Sequence, residues 1–323
     1  MKLDQQNQKK PDQKIHIQQQ DQKQQMKLVY QAGFTLIELI IALALGLIIS
    51  AAALQLFTGG LITTRLQQAS AELQDSGVFG LEYMAHDIRL ANYGNINNPE
   101  LTDTSSLSGI VLTSGTTGKV NLPLSLDSQF LTASGGVSNV NEASDSLLIL
   151  FLTPNKMINC EGQEVEAGEY VLQRYFLRKD DNGQNATDYA LACDANTPPA
   201  KTIAAITGMG TQSQIIMPRV DHLRFYLGTQ ANNKANTTYY TINGYKAATQ
   251  TASAANVKPP RIVSVKVGVL VRSKDDTKST QVDLSQAIPF MNTSVTLKNK
   301  TNKYLRREYT TTIALRNAMG EPL

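Results

Sequence analysis

The sequence is poor in the residues that most often perform chemistry. Its 323 residues include three histidines, two cysteines and no tryptophan. His16, His86 and His222 stand far apart, so they suggest neither a zinc ligand set nor a serine–histidine–aspartate triad. The stretch TSGTTGK at 113–119 lacks the first glycine of a phosphate-binding loop, and valine follows it where serine or threonine should stand. We therefore expect no catalytic, cofactor or metal site.

Excess charge is also missing from most of the chain. The formal net charge is +3, and residues 1–33, with six lysines and three aspartates, carry all of it. The other 24 of the 30 basic residues balance the other 24 of the 27 acidic residues, which gives no electrostatic case for a nucleic-acid partner. Residues 1–25 are too rich in glutamine and lysine to fold, and Met26 is a second candidate start.

Positive charge is absent from the segment that follows. No lysine or arginine lies between Phe34 and Thr64, and residues 34–54 form an almost unbroken apolar run. A helix rises about 1.5 Å per residue, so this run is long enough to span a bilayer. The small residues Ala32 and Gly33 precede the run, whereas a secretory signal has them after its apolar core. The lysines before the run predict a cytoplasmic N-terminus and a body beyond the membrane.

One carboxylate, Glu38, interrupts the apolar run. Near a bilayer centre it would cost about 2.5–3.5 kcal/mol, and less towards the interface. Two interpretations stay open on physical grounds: Glu38 lies shallow enough to reach the interface, or it has a cationic partner. Cleavage after Gly33 would create an ammonium on Phe34, one helical turn from Glu38 and equally close to the Glu38 of a neighbouring copy.

The residues G-FTLIE at 33–38 resemble the class III signal of type IV pilins and of type II secretion pseudopilins. The resemblance implies that a prepilin peptidase cuts between Gly33 and Phe34 and methylates the new N-terminus. It also implies that Thr35 and Glu38 serve assembly. Glu38 would pair with the terminal amine of an adjacent subunit as the helices pack into a fibre.

Further stretches are similar to the PilW family of minor pilins and together cover residues 34–317. They are LQDSGVFGLEYMAHDIRLANYGN at 73–95, SLLILFL at 146–152, NCEG at 159–162, LAC at 191–193, VDHLRFYLG at 220–228, RIVSVKVGVLVRS at 261–273 and TTIALRN at 311–317. Cys160 and Cys193 fall where PilW proteins carry two cysteines. With the body outside the cytoplasm, we expect a Cys160–Cys193 disulfide. Unlike major pilins, the chain has no proline at 34–98, and Gly59–Gly60 is the candidate for local flexibility.

The expected fold is α+β and type IV pilin-like, with a long N-terminal helix packed on an antiparallel β-sheet head. Residues 1–33 would be the leader and 34–94 the helix, transmembrane over about 34–54. Residues 95–323 would be the head. From Leu66 to Ala91, apolar residues recur at helical spacing, which predicts a stripe that packs on the sheet. Gly94 is expected to end the helix.

Within the head, strands are predicted at 147–153, 170–178, 189–193, 219–227, 261–272 and 304–316, with a hairpin turn at Asn182–Gly183. In 261–272 the valines should face the core, and Ile262 and its alternate partners should face the other way. Residues 228–260 are rich in Asn, Thr and Ala and are expected to form a mobile surface insertion. A binding loop that uses tyrosine side chains is the alternative.

The resemblance implies a non-catalytic minor pilin that helps to form the priming complex near the pilus tip. Its partners would be other minor pilins, the major pilin, the inner-membrane assembly platform and the prepilin peptidase, with a tip adhesin as a further candidate. The protein would sit in the inner membrane before assembly and in the surface pilus afterwards. Two alternatives remain: a J-type pseudopilin of type II secretion, and a singly anchored periplasmic binding protein or enzyme.

Overall fold

The computed structural model describes residues 33–231 and 236–319, so the predicted leader and Met26 lie outside the described residues apart from Gly33. Two units divide the chain between Leu56 and Phe57, within the long helix α1, Leu36–Leu90. In the first unit, α1 is apolar and exposed along its whole length. The second unit contains the rest of α1 and all the strands.

The described strands of the second unit pair antiparallel. They are β1 Ala133–Gly136, β2 Ser144–Leu152, β3 Met157–Ile158, β4 Glu164–Val165, β5 Tyr170–Lys179, β6 Tyr189–Ala195, β7 Gln214–Met217, β8 Val220–Gln230, β9 Thr237–Thr241, β10 Arg261–Arg272, β11 Ile288–Phe290, β12 Thr293–Val295 and β13 Arg306–Ala314. One sheet has the order β1-β2-β5-β6-β7 and another the order β13-β10-β8-β9, while β3–β4 and β11–β12 are small hairpins. The predicted α+β class is confirmed.

The second half of α1 packs on the strands through the predicted apolar stripe. Its buried residues are Ala69, Leu73, Gly77, Gly80, Leu81, Met84, Ala85, Asp87 and Ile88. A β-carbon on Gly77 would lie 2.4 Å from the Tyr309 ring, and one on Gly80 would lie 2.2 Å from Met217. These two glycines are required because the helix backbone comes this close to β13 and β7.

The helix ends earlier than Gly94, the predicted terminus. Its last residue is Leu90, and Asn92 then takes a left-handed conformation, with φ of 68°. Asparagine tolerates this conformation because its side chain bonds locally, and here it donates to the carbonyls of Pro99 and Asn317 at 3.0 Å. The side chain of Asn317 in turn donates to the carbonyl of Arg89 at 3.1 Å. Asn92 is therefore the local signal for the end of the helix, and its contact with the distant Asn317 holds the terminus in place.

Strand β10 is buried on both faces, because a second cluster covers the side away from the main core. The valines at 265, 267, 269 and 271 enter the main core as predicted. On the opposite face, Leu270 packs with Phe290 and Val295. The prediction for Ile262 was wrong: a bulge between Ile262 and Ser264 breaks the alternation and turns Ile262 into the main core.

The predicted Asn182–Gly183 turn lies between β5, which ends at Lys179, and β6, which starts at Tyr189, and these two strands pair antiparallel as a hairpin. The intervening loop closes through Gly183 N–H donating to Asp180 O at 3.0 Å. Residues 228–260 also contain regular structure, with β9 and a second helix, α2, Ile242–Ala254.

Helix α2 is anchored to the head rather than being a loose insertion. Thr241 caps its N-terminus by accepting from Gly244 N–H at 3.0 Å. Tyr245 is fully buried, and its hydroxyl donates to the carbonyl of Pro260 at 2.9 Å. The mobile-insertion prediction is therefore wrong for the part of 228–260 that the structure describes, which leaves out residues 232–235.

Candidate processing and assembly site

The predicted cleavage bond lies in exposed, non-helical chain. Gly33 and Phe34 both precede α1, and 86% of the Phe34 surface is exposed. A β-carbon on Gly33 would meet no atom within 4 Å, so nothing in the described structure crowds this peptide bond. An accessible, non-helical segment directly before a helix is one that a peptidase can reach.

Thr35 and Glu38 form a capping box at the start of α1. Glu38 Oε2 accepts from the Thr35 backbone N–H at 3.0 Å and from the Thr35 hydroxyl at 2.9 Å. The Glu38 N–H donates back to the Thr35 hydroxyl at 3.3 Å. This reciprocal pair satisfies two otherwise unpaired donors at a helix N-terminus. The pattern T-x-x-E was readable in the sequence, but Glu38 was interpreted there only as reaching the membrane interface or as pairing with a cation.

The apolar segment that follows is long and apolar enough to cross a membrane, and its side chains are exposed in the described structure. Helix α1 continues unbroken through Gly59 and Gly60, the predicted point of flexibility. The hydroxyls of Thr63 and Thr64 donate to the carbonyls of Gly59 and Gly60, each at 3.0 Å. These bonds give the two glycine carbonyls additional partners in an apolar stretch.

The predicted disulfide joins Cys160 and Cys193, with 6.0 Å between their α-carbons. Cys160 lies in the turn of the β3–β4 hairpin, and Cys193 lies in β6. The hairpin turn is held by Asn159, whose side-chain oxygen accepts from the N–H groups of Glu161 and Gln163. The disulfide therefore links the short β3–β4 hairpin, which has two residues in each strand, to the five-stranded sheet.

A buried polar cluster under α1 was not predicted. Asp87 on the helix accepts from the Tyr175 hydroxyl at 2.7 Å and from the Gln173 amide at 2.9 Å, and both of those residues lie on β5. Burial, followed by the charge of Asp87, holds the pKa of Tyr175 well above its usual value, so the hydroxyl remains a donor. The cluster fixes helix and sheet in one register, because any shift would leave a buried carboxylate unpaired.

The two histidines that the structure describes, His86 and His222, are not brought together. His222 is fully buried, with Nδ1 at 3.2 Å from the hydroxyls of Ser138 and Ser144. Burial lowers the pKa of His222 to about 3, aided by Arg224 and Lys298, so the ring is neutral at physiological pH. Over residues 33–231 and 236–319, no group of three or more His, Cys, Asp or Glu could hold a metal ion.

Comparison with protein families finds two matches on this chain. The type IV pilus-assembly protein W family, PilW, matches residues 174–317, and the prokaryotic N-terminal methylation motif matches residues 29–54. The predicted resemblance to the PilW family is confirmed. The PilW match begins in β5 and includes Cys193. The methylation motif contains the capping box, Gly33 and Phe34, so the candidate site lies inside the matched motif.

Comparison with solved structures finds a type IV-like pilin from Thermus thermophilus. It is 12% identical, with a TM-score of 0.36, over 76% of this chain and 96% of that chain. Comparison with curated proteins finds no match.

Proposed function

We propose that this chain is a non-catalytic minor pilin that takes part in the priming or tip complex of a type IV pilus. Pilin families are structural, and PilW is a pilus-assembly family. The observation that carries the proposal is the Thr35–Glu38 capping box, at the head of an exposed apolar helix within a methylation motif. The function then resides in helix packing rather than in a reactive centre.

Processing is the first step of the proposed mechanism. A prepilin peptidase cuts between Gly33 and Phe34 and methylates the new amine. The exposed, non-helical chain at this bond supports such a cut, since helical residues would have to unwind to enter a peptidase. Cleavage turns the amide nitrogen of Phe34 into a cation one turn from Glu38.

Glu38 then offers that cation a partner on a neighbouring subunit. Its Oε2 is engaged by Thr35, while its Oε1 makes no hydrogen bond to a described residue and can accept from an incoming ammonium. In an apolar bundle an unpaired carboxylate is costly, so the pair favours one axial register of the packed helices. Thr35 supports the pair by holding the carboxylate at the N-terminal end of α1.

The disulfide and the charge distribution support the proposed topology. The lysines before residue 34 favour a cytoplasmic N-terminus, which puts the head in the periplasm before assembly and on the cell surface afterwards. A disulfide between Cys160 and Cys193 fits an oxidising compartment. Proposed partners are other minor pilins, the major pilin, the inner-membrane assembly platform and a tip adhesin.

Retention of Glu38 favours a position near the fibre end rather than at the outermost place. In the assembly that the family resemblance implies, each glutamate pairs with the amine of a subunit already in place. The outermost subunit has no such partner, and its carboxylate would stay unpaired at a cost of several kcal/mol. We therefore propose that another minor pilin, without glutamate at the matching position, caps this one.

Replacing Glu38 with leucine tests the pairing. The variant should reach the membrane at wild-type levels, because leucine removes a charge from the apolar segment. The amount of the variant in sheared pili should fall by about tenfold or more. A loss of about 1.4 kcal/mol in pairing free energy already changes an equilibrium constant tenfold. Quantitative immunoblots of membrane and pilus fractions measure both. Glu82→Leu, an exposed carboxylate further along α1, is the matched control.

Equal incorporation of Glu38→Leu and wild type would rule out the pairing role. Mass spectrometry of protein from the source membrane tests processing separately: the expected N-terminus is methylated Phe34, and Gly33→Val should block the cut. An intact leader in cells with an active peptidase would contradict the assignment of the cleavage site.

A further inference from the structure

A cleft of about 590 Å³ opens on the outer face of the five-stranded sheet, opposite the face that packs under α1. Alternate residues of β5 supply its floor: Arg174, Phe176 and Arg178 point outward, while Tyr175 and Leu177 point into the core. The walls come from a short 3-10 helix ending at residue 130, from β6 and from residues 210–213.

Arg174 is the cationic side chain of this cleft that is free to bind a ligand. Its guanidinium carbon lies 4.0 Å from the centre of the Phe176 ring and 5.5 Å from that of Phe130. Its side chain makes no hydrogen bond or ion pair with any residue the structure describes, and its Nε is buried without a partner. A guanidinium that lies near two aromatic rings is restrained by them, and its fork of donors has the geometry that matches a carboxylate.

The neighbouring carboxylate attracts Arg174 electrostatically but forms no hydrogen bond or ion pair with it among the described contacts. Asp194 on β6 stands directly across from Arg174 in the strand register, yet both its oxygens accept from the Gly210 N–H at 3.0 Å. Gly210 has φ of +81°, and a β-carbon there would lie 2.5 Å from the Phe130 ring. Glycine is therefore needed for the wall loop to close on Phe130 and reach Asp194.

The second arginine is already engaged. Arg178 pairs with Asp181 at 2.7 Å and donates to the carbonyls of Lys179 and Ser213 at 2.9 and 3.3 Å. The two arginines and the two aspartates of the cleft thus cancel in charge, with Arg174 alone unpaired. A dianion such as phosphate would be repelled by both aspartates. A single carboxylate carries less charge and needs only one free guanidinium, that of Arg174.

We propose that this cleft binds a carboxylate carried by a peptide segment of a partner protein, with the guanidinium of Arg174 as its receptor. The aromatic rings of Phe130 and Phe176 keep the guanidinium in place and shield the ion pair from water. The site lies on the sheet face opposite α1, so it is independent of the proposed fibre packing, and either proposal can fail without the other.

The test is a titration of the full chain, in nanodiscs of neutral lipid at low ionic strength, with the peptide acetyl-Glu-Glu-Glu-Glu-amide. Binding is followed by calorimetry and by the NMR resonance of the Arg174 Nε–H group. Arg174→Gln should weaken binding by about tenfold or more, as expected for a lost charge-assisted hydrogen bond pair. Arg174→Lys should not restore it fully, and Asp194→Asn should tighten it several-fold by removing a nearby like charge.

The controls distinguish a side-chain carboxylate from a C-terminal one, and they test whether binding is only general attraction between opposite charges. Acetyl-Gln-Gln-Gln-Gln-amide should not bind, and Arg307→Gln, at an exposed arginine on β13, should bind as wild type does. Tetraglycine with a free C-terminus decides whether a terminal carboxylate also serves as ligand. Saturable binding of either carboxylate peptide that depends on Arg174 supports the proposal. Equal affinity of wild type and Arg174→Gln, with unchanged thermal unfolding of the variant, or no saturable binding of either peptide, overturns it.

Discussion

The two halves of helix α1 carry side chains suited to two different environments. From Leu36 to Leu56 its apolar side chains are exposed all round, and the carboxylate of Glu38 is held by a local cap. From Ala69 to Ile88 one stripe of the helix is buried, and the carboxylate of Asp87 is held by the sheet. Apolar residues on every side suit lipid or a helix bundle, whereas a stripe suits one protein surface.

The strongest test of this comparison is to replace one isoleucine with alanine in each half of α1. Ile88 is fully buried under the sheet, so Ile88→Ala should lower the free energy of unfolding of the head by about 2–5 kcal/mol. Ile48 lies in the exposed apolar run, and Ile48→Ala should leave head unfolding unchanged. Urea unfolding of the full chain in nanodiscs, followed by near-ultraviolet circular dichroism, measures both. If both variants lost a similar amount of unfolding free energy, both halves of α1 would contribute to the stability of the head, and the comparison would be wrong.

Covalent stabilisation should likewise be confined to the head. Replacing both Cys160 and Cys193 with alanine releases a bond between positions 33 residues apart, which should cost about 2–4 kcal/mol of unfolding free energy. Membrane insertion should not change, because the apolar run lies outside the closed loop. The same urea titration is repeated on wild type with a reductant, which should reproduce the loss. Unchanged stability in both samples would contradict a stabilising role for the bond.

A buried and an exposed carboxylate on the second half of α1, Asp87 and Asp75, give a finer comparison. Asp87→Asn keeps the side-chain shape and one oxygen that can accept from the Gln173 amide and the Tyr175 hydroxyl, but it removes the negative charge that strengthens both bonds. We expect a loss of about 1–3 kcal/mol in head stability. Asp75→Asn, at an exposed position of the same helix, is the matched control and should change little. If both variants unfold like wild type, the buried cluster does not fix the register of helix and sheet.

Sequence patterns predicted what depends on local spacing and missed what depends on distant partners. The apolar run, the stripe at helical spacing and the strand with alternate valines all follow from the periodicity of neighbouring residues. Asp87 looked like one more polar residue of the helix, because its partners Tyr175 and Gln173 lie 88 and 86 positions away. A carboxylate on the buried side of a predicted stripe was the signal that could have found this cluster.

Helix α2 and the bulge at Ile262 were missed for other reasons. The Ala- and Thr-rich composition of 246–255 suits a short helix as well as a loop, and burial of Tyr245 decides between them. The bulge in β10 is set by its pairing with β8, and a single extra residue changes which face each side chain takes. The carboxylate cleft joins β5, β6 and two loops, so its residues come together only in the fold.

The smallest expected effect concerns the cap that starts the lipid-facing half. Thr35→Ala removes the hydroxyl that bonds to Glu38, which should weaken the first turn of α1 by about 1 kcal/mol. Thr35→Ser keeps the hydroxyl and should behave as wild type. Hydrogen exchange of the amides in the first turn, measured in nanodiscs, should therefore speed up by about fivefold in Thr35→Ala alone, since 1.4 kcal/mol corresponds to about tenfold. Head unfolding should be identical in all three proteins, because the cap and the buried stripe lie in different units of the chain. A loss of head stability in Thr35→Ala would show that the two halves of α1 respond as one cooperative helix, and the comparison between them would fail.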